Sequence, residues 1–416
     1  MKGLSDPAAR RTVVAFLLGA TTINYIDRQS LSVLAPVLQR EFSLTTVQYS
    51  YLVNSFLAVY SVMYLVAGRV VDRLGTRRGL GYAILCWSAA EILHAFAGGF
   101  ASLCAARALL AVGEAAIIPS GVKAVAEWFE PKRRGLAIGT FEIGLSLGPL
   151  VAPPLVAYLA IHFGWRSAFV WTGVAGLLWA IPWLLFYRLP SAAPAGGERL
   201  PPQAQPSPRE LLRSRQVWAV GLARFFGDPV WYFYLFWLPK YLADARGLTL
   251  QSIGAFAWIP YLGSMLGGFA GGAASSWLIR RGMPAPAARQ RILSISSVAV
   301  SSGVLCIYLD ELGWALAAIA CAAFFMQFWG VNLDTLPSDL FPSNSVAQAV
   351  GVAGLLGSAG GIVFTAATGH IVERYGYSPV WVASAVMYPA GLTCLRLCLR
   401  PQRSRPETGI KAAARP

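Results

Sequence analysis

The feature that most constrains this chain is a series of apolar stretches, separated by short basic loops. A helix needs about 20 mainly apolar residues to cross a bilayer. Such stretches lie near residues 13–37, 48–71, 79–98, 101–126, 135–161, 166–187, 216–242, 253–279, 291–309, 314–337, 347–372 and 377–398. We therefore expect an all-α polytopic membrane protein with twelve transmembrane helices, spans 1 to 12 in this order.

Composition points to lipid as the surrounding medium. Hydrophobic residues make up 56% of the chain and charged residues only 13%, whereas soluble domains carry about 25% charged residues. The net charge of +15 resides in short loops between apolar stretches, so we do not expect nucleic acid as a partner. The six cysteines lie in or at the ends of apolar stretches, which fits neither a disulfide framework nor a metal site. We expect no cofactor and no metal.

The distribution of Lys and Arg predicts the orientation. Basic residues are abundant at both chain ends, in the loops after spans 2, 4 and 8, and in residues 188–215, whereas the alternate loops hold one or none. By the positive-inside rule both termini are cytoplasmic, in a bacterial inner membrane. Residues 188–215 are rich in Pro, Ala and Gly and lack a helical period, which is typical of a linker.

An internal repeat predicts two similar halves. Spans 5–6 recur in spans 11–12 at one constant offset, which pairs Gly139 with Gly351, Ser146 with Ser358, Gly148 with Gly360 and Gly164 with Gly376. Chance matching of glycine-rich helices is the alternative, but several matches at one offset favour duplication. We expect a six-helix bundle (1–187), a cytoplasmic linker (188–215), a second six-helix bundle (216–400) and a cytoplasmic tail (401–416).

The loop after span 2 carries the most specific motif. Residues 68–79 match the G-x-x-x-D-R-x-G-x-R-R signature of the major facilitator superfamily, whose halves are arranged in this way. Glycines permit close helix approach and tight turning, and a carboxylate can bind a helix N-terminus or a neighbouring arginine. We interpret five residues as a conformational latch that holds the outward-facing state: Gly68, Asp72, Arg73, Gly75 and Arg77.

Ionisable residues inside apolar spans are costly in lipid and normally face a functional cavity. Span 1 contains Asp27 and Arg28, and span 4 contains Arg107 and Glu114, which lie seven residues apart on one helix face. A structural pair that shields its own charges is the alternative for span 4. Burial favours the protonated form of a carboxyl, so Asp27 and Glu114 are candidates for proton coupling.

Span 7 carries a second polar group. Arg224 and Asp228 are four residues apart and can pair, and Trp231 and Tyr232 can line a pocket, although aromatic packing is the commoner explanation. Further polar residues lie inside spans 3, 5 and 10; their roles are open: Glu91, Glu142, Asn332 and Asp334.

These motifs together resemble the anion:cation symporter family of major facilitators, and most closely the bacterial hexuronate transporters. The similarity rests on Asn-Tyr-Ile-Asp-Arg at 24–28, Gly-Glu-Ala at 113–115, Ala-Pro-Pro-Leu at 152–155, Ala-Arg-Phe at 223–225 and Ala-Trp-Ile-Pro at 257–260. The resemblance implies a substrate-carboxylate ligand at Arg28, proton carriers at Asp27 and Glu114, and further binding residues at Tyr25, Arg107, Trp231, Tyr232 and Asn332.

Four function classes remain open. The resemblance favours proton-coupled import of a sugar-acid anion, such as glucuronate or galacturonate, by a monomer. A proton-driven exporter of drugs or organic anions is suggested by Gly144-x-x-x-Gly148-Pro149, which is part of an antiporter motif. A membrane enzyme is disfavoured because no nucleophile–base or metal-ligand arrangement is visible. Short loops disfavour a sensor, and paired arginines suit a small carboxylate better than a drug.

Overall fold

The computed structural model describes residues 7–188, 213–341 and 345–399, and every regular element within these ranges is helical. The predicted linker falls mainly on residues 189–212 and the predicted tail on residues 401–416, both outside the described ranges. The N-terminal helices are α1 (Pro7–Glu41), α2 (Thr46–Leu74), α3 (Thr76–His94), α4 (Phe100–Glu114), α5 (Ile117–Trp128), α6 (Pro131–Glu142), α7 (Gly144–Phe163) and α8 (Trp165–Phe186). The C-terminal helices are α9 (Arg215–Asp244), α10 (Leu250–Phe256), α11 (Ile259–Arg280), α12 (Ala285–Ala299), a 3-10 helix (Val300–Tyr308), α13 (Leu312–Leu340), α14 (Val346–Tyr375) and α15 (Ser378–Leu399).

Each predicted span coincides with one helix or with two consecutive helices. Span 4 is divided into α4 and α5, and span 8 into α10 and α11. Proline explains both interruptions, because its ring clashes with the carbonyl four residues earlier. Pro119 acts on the turn at Ala115, and Pro260 acts on the end of α10 at Phe256. Span 3 was predicted to reach residue 98, but α3 already ends at His94.

Eight helical stretches among the described residues are long and apolar enough to cross a membrane, or nine if the bent helix α2 is included. The other three predicted spans correspond to α1, α3 and α9. Ionisable residues in these helices, among them Asp27, Glu91 and Arg224, lower their mean hydropathy. The three less apolar helices, α1, α3 and α9, therefore carry much of the buried charge.

The helices are organised by close packing within each group. Helix α1 packs on α7, α3 packs on α8 and α4, and α2 packs on α4. Among the C-terminal helices, α11 packs on α13, and α9 packs on both α14 and α15. Gly113 is required for the α3–α4 contact, because a Cβ at this position would lie 2.6 Å from the Trp87 backbone nitrogen.

The molecule has two chemically distinct ends. The arginine-rich end contains the helix termini at Leu74, Trp128, Phe186, Arg215 and Arg280, and the arginine-poor end contains those at Glu41, His94, Phe163, Asp244 and Tyr375. Gly164 and Gly376, which are equivalent in the sequence repeat, both have positive φ (85° and 74°) before the last helix of their group. The repeat is therefore visible in backbone conformation as well as in sequence.

Hydrogen bonds join the N-terminal to the C-terminal helices towards the arginine-poor end. The Ser32 hydroxyl donates to the carbonyls of Leu235 and Phe236 at 3.0 Å, and the Val47 amide donates to the Glu373 carboxylate at 2.9 Å. Lys240 of α9 also contacts Gln39 of α1. These contacts close the interface between the two helix groups at this end.

Candidate binding cavity

A cavity of about 260 Å³ lies between the two groups of helices. Its wall includes seven aromatic residues, Tyr25, Tyr60, Tyr64, Trp231, Tyr232, Trp329 and Tyr388, and four charged residues, Arg28, Arg224, Asp228 and Asp334. On α1, α2 and α9 the cavity residues lie nearer the arginine-rich end than Ser32, Val47 and Lys240, which join the two groups. The cavity therefore lies on the arginine-rich side of the closed interface.

Arg28 is the charged residue that α1 contributes to the cavity. Its Nε and Nη2 donate to Glu114 Oε2 at 2.9 and 2.7 Å, and both side chains are buried. The guanidinium carbon lies 4.5 Å from the Tyr25 ring centroid, 4.8 Å from that of Tyr60 and 4.9 Å from that of Phe56. Aromatic faces attract cations, so the rings and the carboxylate together hold Arg28 at the cavity wall.

The three other predicted charged residues lie behind Arg28 and do not line the cavity. Arg107 is 1% exposed, and its Nη2 donates to the Arg28 carbonyl at 3.2 Å. Asp27 and Glu114 are fully buried. Among the described residues, Glu114 Oε1 and both Asp27 carboxylate oxygens have no hydrogen-bond partner.

The predicted aromatic and amide ligands divide in the same way. Tyr25, Trp231 and Tyr232 line the cavity. Asn332 instead donates to the carbonyls of Gly271 at 3.2 Å and Phe328 at 2.9 Å, within the α11–α13 contact. Its side chain serves helix packing in this structure, and we therefore leave Asn332 out of the binding site.

The cavity also contains residues that the sequence reasoning did not assign. Tyr60 and Tyr64 follow Phe56 at four-residue intervals on α2, with ring centroids 5.5 and 6.0 Å apart in succession. This regular aromatic spacing on a span was the available signal. The expected pairing of Arg224 with Asp228 is present at 3.4 Å, and Arg224 also pairs with Asp334 of α13.

The signature loop lies at the arginine-rich end, away from the cavity. Asp72 accepts a hydrogen bond from Lys123 of α5 at 2.7 Å, and Arg77 donates to the Leu184 carbonyl of α8. Gly75 connects α2 to α3 with a φ of 76°, a conformation that favours glycine. Arg73 is exposed, and the space beside the Gly68 Cα is open.

A second set of hydrogen bonds ties the same loop to α5 and to the end of α8. Glu127 accepts from the Thr76 and Tyr187 hydroxyls, both at 2.7 Å, and the Trp183 indole donates to the Arg77 carbonyl at 3.0 Å. Two of the predicted latch residues, Asp72 and Arg77, are thus part of a polar cluster that links α2, α3, α5 and α8.

Comparisons of the chain with known proteins agree on one family. The family described as Major Facilitator Superfamily matches residues 17–365. The Hexuronate transporter of Escherichia coli (strain K12) is 31% identical over 393 residues, covering 90% of each chain. The Galacturonate transporter of Dickeya chrysanthemi is 36% identical over 266 residues, covering 61% of this chain and 77% of the relative.

A solved structure shows the same fold. A bacterial homolog of the human lysosomal transporter Spinster, in an inward-facing and occupied conformation, superposes with a TM-score of 0.76 at 20% identity. The match covers 95% of this chain and 97% of that chain.

Proposed function

Because the chain belongs to the Major Facilitator Superfamily and is a multi-pass membrane transporter rather than an enzyme, we propose that it imports a sugar-acid anion together with protons. The names of its relatives support a sugar acid as the substrate. Among sugar acids, hexuronates such as glucuronate and galacturonate are the best candidates. The protein acts in this proposal as a monomer in the bacterial inner membrane.

The proposed architecture follows the major facilitator pattern. Twelve spans form two six-helix bundles, 1–187 and 216–400, joined by a cytoplasmic linker, and both termini are cytoplasmic. The arginine-rich end then faces the cytoplasm by the positive-inside rule. Since the contacts of Ser32 and Val47 close the opposite end, the structure corresponds to an inward-facing state.

The position of Arg28 is the observation that carries the proposal. It supplies a guanidinium at the wall of a small aromatic cavity, and guanidinium groups bind carboxylates through two parallel hydrogen bonds. Tyr25, Trp231 and Tyr232 surround the space beside it, and their rings and hydroxyls suit the body of a sugar acid. The substrate carboxylate therefore binds Arg28, and the substrate hydroxyls contact the aromatic wall.

Glu114 occupies the two N–H donors of Arg28 that a substrate carboxylate would need, although it lies behind Arg28 and outside the cavity. Its Oε2 already accepts two hydrogen bonds from Arg28. Protonation of Glu114 removes its charge and releases Arg28, so proton binding and anion binding favour each other. Asp27, which is buried beside this pair, is the second proton-binding residue of the proposal.

The exporter alternative has less support. Its sequence basis was the motif at Gly144 and Gly148, and both glycines face α1. A Cβ at Gly144 would lie 2.7 Å from the Thr21 Cβ, and one at Gly148 would lie 2.8 Å from the Thr22 carbonyl oxygen. Close packing of α7 on α1 therefore accounts for both glycines without export.

A panel of substrates tests the proposal. Purified protein in liposomes should accumulate labelled glucuronate or galacturonate when the outside is acidic, and should transport glucose much more slowly. The matched pair of glucose and its uronic acid isolates the carboxylate. Equal transport of both sugars, or export of hydrophobic cations, would contradict the assignment.

A further inference from the structure

The cavity wall that the C-terminal helices form carries a charged group to which the proposed function gives no role. It consists of Arg224 and Asp228 of α9 and Asp334 of α13, all of which line the cavity. Arg224 Nη1 donates to Asp228 Oδ2 at 3.4 Å, and Arg224 Nη2 donates to Asp334 Oδ1. One guanidinium thus holds carboxylates from two different helices. We call these three side chains the acidic wall.

The acidic wall carries one net negative charge, because two carboxylates face a single guanidinium. Arg28 belongs to the wall formed by the N-terminal helices, where it is paired with Glu114. Among the described residues, neither Asp228 nor Asp334 lies within ion-pair distance of Arg28. The cavity therefore has a guanidinium for an anion on one side and a group that repels anions on the other.

Each carboxylate of the acidic wall keeps one oxygen for a ligand. Within the described ranges, neither Asp228 Oδ1 nor Asp334 Oδ2 accepts a hydrogen bond. The two side chains are 27% and 57% exposed, so a molecule in the cavity can reach them. An ionised carboxylate only accepts hydrogen bonds. These oxygens therefore suit the hydroxyl groups of a sugar and not a second carboxylate.

An unpaired indole N–H lies beside the acidic wall. Trp329 of α13 lines the cavity and is 2% exposed, and its Nε1 is buried without a hydrogen-bond partner among the described residues. A Cβ at Gly227, the residue before Asp228, would lie 3.5 Å from this nitrogen. A buried donor without an acceptor is costly. A sugar hydroxyl satisfies both groups, since it can accept from the indole and donate to a carboxylate.

Close packing of α9 on α14 fixes the position of the acidic wall. A Cβ at Gly357 of α14 would lie 2.0 Å from Asp228 Oδ2 and 3.2 Å from the Arg224 Cβ. Any larger residue at position 357 would displace the Asp228 carboxylate. The glycine therefore leaves the space that this carboxylate occupies at the cavity.

We propose that the acidic wall selects sugar acids with a single carboxylate: it accepts hydrogen bonds from the hydroxyls remote from that carboxylate and repels a second one. The inference rests on the proposed function, because Arg28 must bind the first carboxylate. Hexuronates and aldonates, which have one carboxylate, are then the favoured substrates. Aldarates, which have a carboxylate at each end, bind weakly.

Competition against the uptake of labelled glucuronate into proteoliposomes tests this selection in wild-type protein. Gluconate and glucarate differ only at C6, which is a hydroxymethyl group in gluconate and a carboxylate in glucarate. At neutral pH both carboxyl groups of glucarate are ionised. Gluconate should compete at least about tenfold more strongly, because the second carboxylate of glucarate meets like charge within a few ångströms.

The wild-type experiment separates the two proposals. Equal competition by the two acids, or stronger competition by glucarate, would overturn the selection by the acidic wall and leave the proposed function standing. Absence of glucuronate uptake would overturn the proposed function and this inference with it.

Asp334→Asn tests whether charge causes the selection. Asparagine keeps an oxygen that accepts from a hydroxyl but makes the wall neutral, so the difference in affinity between gluconate and glucarate should shrink to about threefold or less. Calorimetry on purified protein measures both affinities. Asp339→Asn is the matched control, because Asp339 is on the same helix, pairs with Arg289 and does not line the cavity. It should keep the wild-type difference.

Asp228→Asn/Asp334→Asn should reverse the preference, because Arg224 then has no carboxylate partner on the wall and can bind the second carboxylate of glucarate. Asp228→Asn alone removes the same single charge as Asp334→Asn and remains informative if the double variant does not fold. A merely structural role of the acidic wall would weaken both acids alike. An unchanged preference for gluconate in every variant that binds glucuronate would overturn the proposal.

Discussion

At the scale of single residues, Arg28 carries the proposed recognition. Its guanidinium reaches the cavity wall and already binds a carboxylate, that of Glu114, through Nε and Nη2. A lysine at this position would keep the charge but lose the planar pair of donors. A lysine at position 28 therefore separates the contribution of the positive charge from that of the planar hydrogen-bond donors.

Arg28→Lys should weaken hexuronate binding by roughly 10- to 100-fold, since a hydrogen bond to a charged group contributes about 1.5–3 kcal/mol. Binding of glucuronate to purified protein, measured by calorimetry, checks this. Arg166→Lys is the matched control, because Arg166 is exposed and pairs with Glu41 at the arginine-poor end. Unchanged affinity in Arg28→Lys would remove Arg28 from the binding site.

Glu114→Gln tests the proton-linked release of Arg28. Glutamine resembles the protonated acid, so binding should become nearly independent of pH, and exchange of internal for external substrate should continue. Accumulation driven by a pH gradient should be lost. Glu41→Gln, the same change at an exposed position, should accumulate as wild type. Concentrative uptake by Glu114→Gln would show that the coupling proton is bound elsewhere.

At the scale of helices, the signature loop is bonded to two other helices of the N-terminal group. Asp72 of α2 is paired with Lys123 of α5, and Arg77 of α3 is bound to α8 through the Leu184 carbonyl. The loop lies at the end of α2, whereas the cavity residues Tyr60 and Tyr64 lie farther back along the same helix. A change at Asp72 should therefore act on conformation without touching the substrate.

Asp72→Asn should slow transport by no more than about fivefold and leave substrate affinity close to that of wild type. Asp72 is largely exposed, and ion pairs at the surface contribute about 0–1 kcal/mol. Initial uptake rates and calorimetric affinities on the same preparation check both parts. Asp310→Asn, at an exposed position in the 309–311 connection, is the control. A large loss of affinity at normal turnover would contradict the latch interpretation.

At the scale of the whole molecule, the proposed import requires the closed, arginine-poor end to open. Helix α10 packs on α7 in this structure, and a Cβ at Gly254 would lie 2.7 Å from the Cβ of Ala157. Cysteines joined by a disulfide have Cβ atoms about 3.5–4.5 Å apart. If α7 and α10 moved apart by about 1 Å, the two Cβ atoms would reach this distance. A disulfide could then join the two helix groups while the arginine-poor end is closed.

Ala157→Cys/Gly254→Cys should lose transport when oxidised, down to the rate of empty liposomes, and recover it after reduction. The disulfide would hold the arginine-poor end closed and prevent substrate entry from that side. Ala157→Cys alone and Gly254→Cys alone, treated identically, control for each substitution and for the six native cysteines. Full transport by the cross-linked protein would show that this end does not open during the cycle.

Much of the architecture can be predicted from the amino-acid sequence alone. Apolar length, basic loops and the motif around Asp72 predict membrane-spanning helices and the superfamily, which the comparisons confirm. The intramembrane positions of Arg28 and Glu114 also follow from the sequence, because a charge inside an apolar stretch needs a partner or a cavity. Hydropathy and charge depend only on residue order and are therefore readable without coordinates.

The rotation of each helix and the pairing of side chains depended on tertiary packing. Only the structure shows that Arg28 pairs with Glu114, that Tyr60 lines the cavity, and that Asn332 bonds to backbone carbonyls at the α11–α13 contact instead. It also brings Glu91 of α3 beside Thr172 of α8. These arrangements join residues far apart in the chain, and close contacts such as that at Gly113 set which face each helix turns inward.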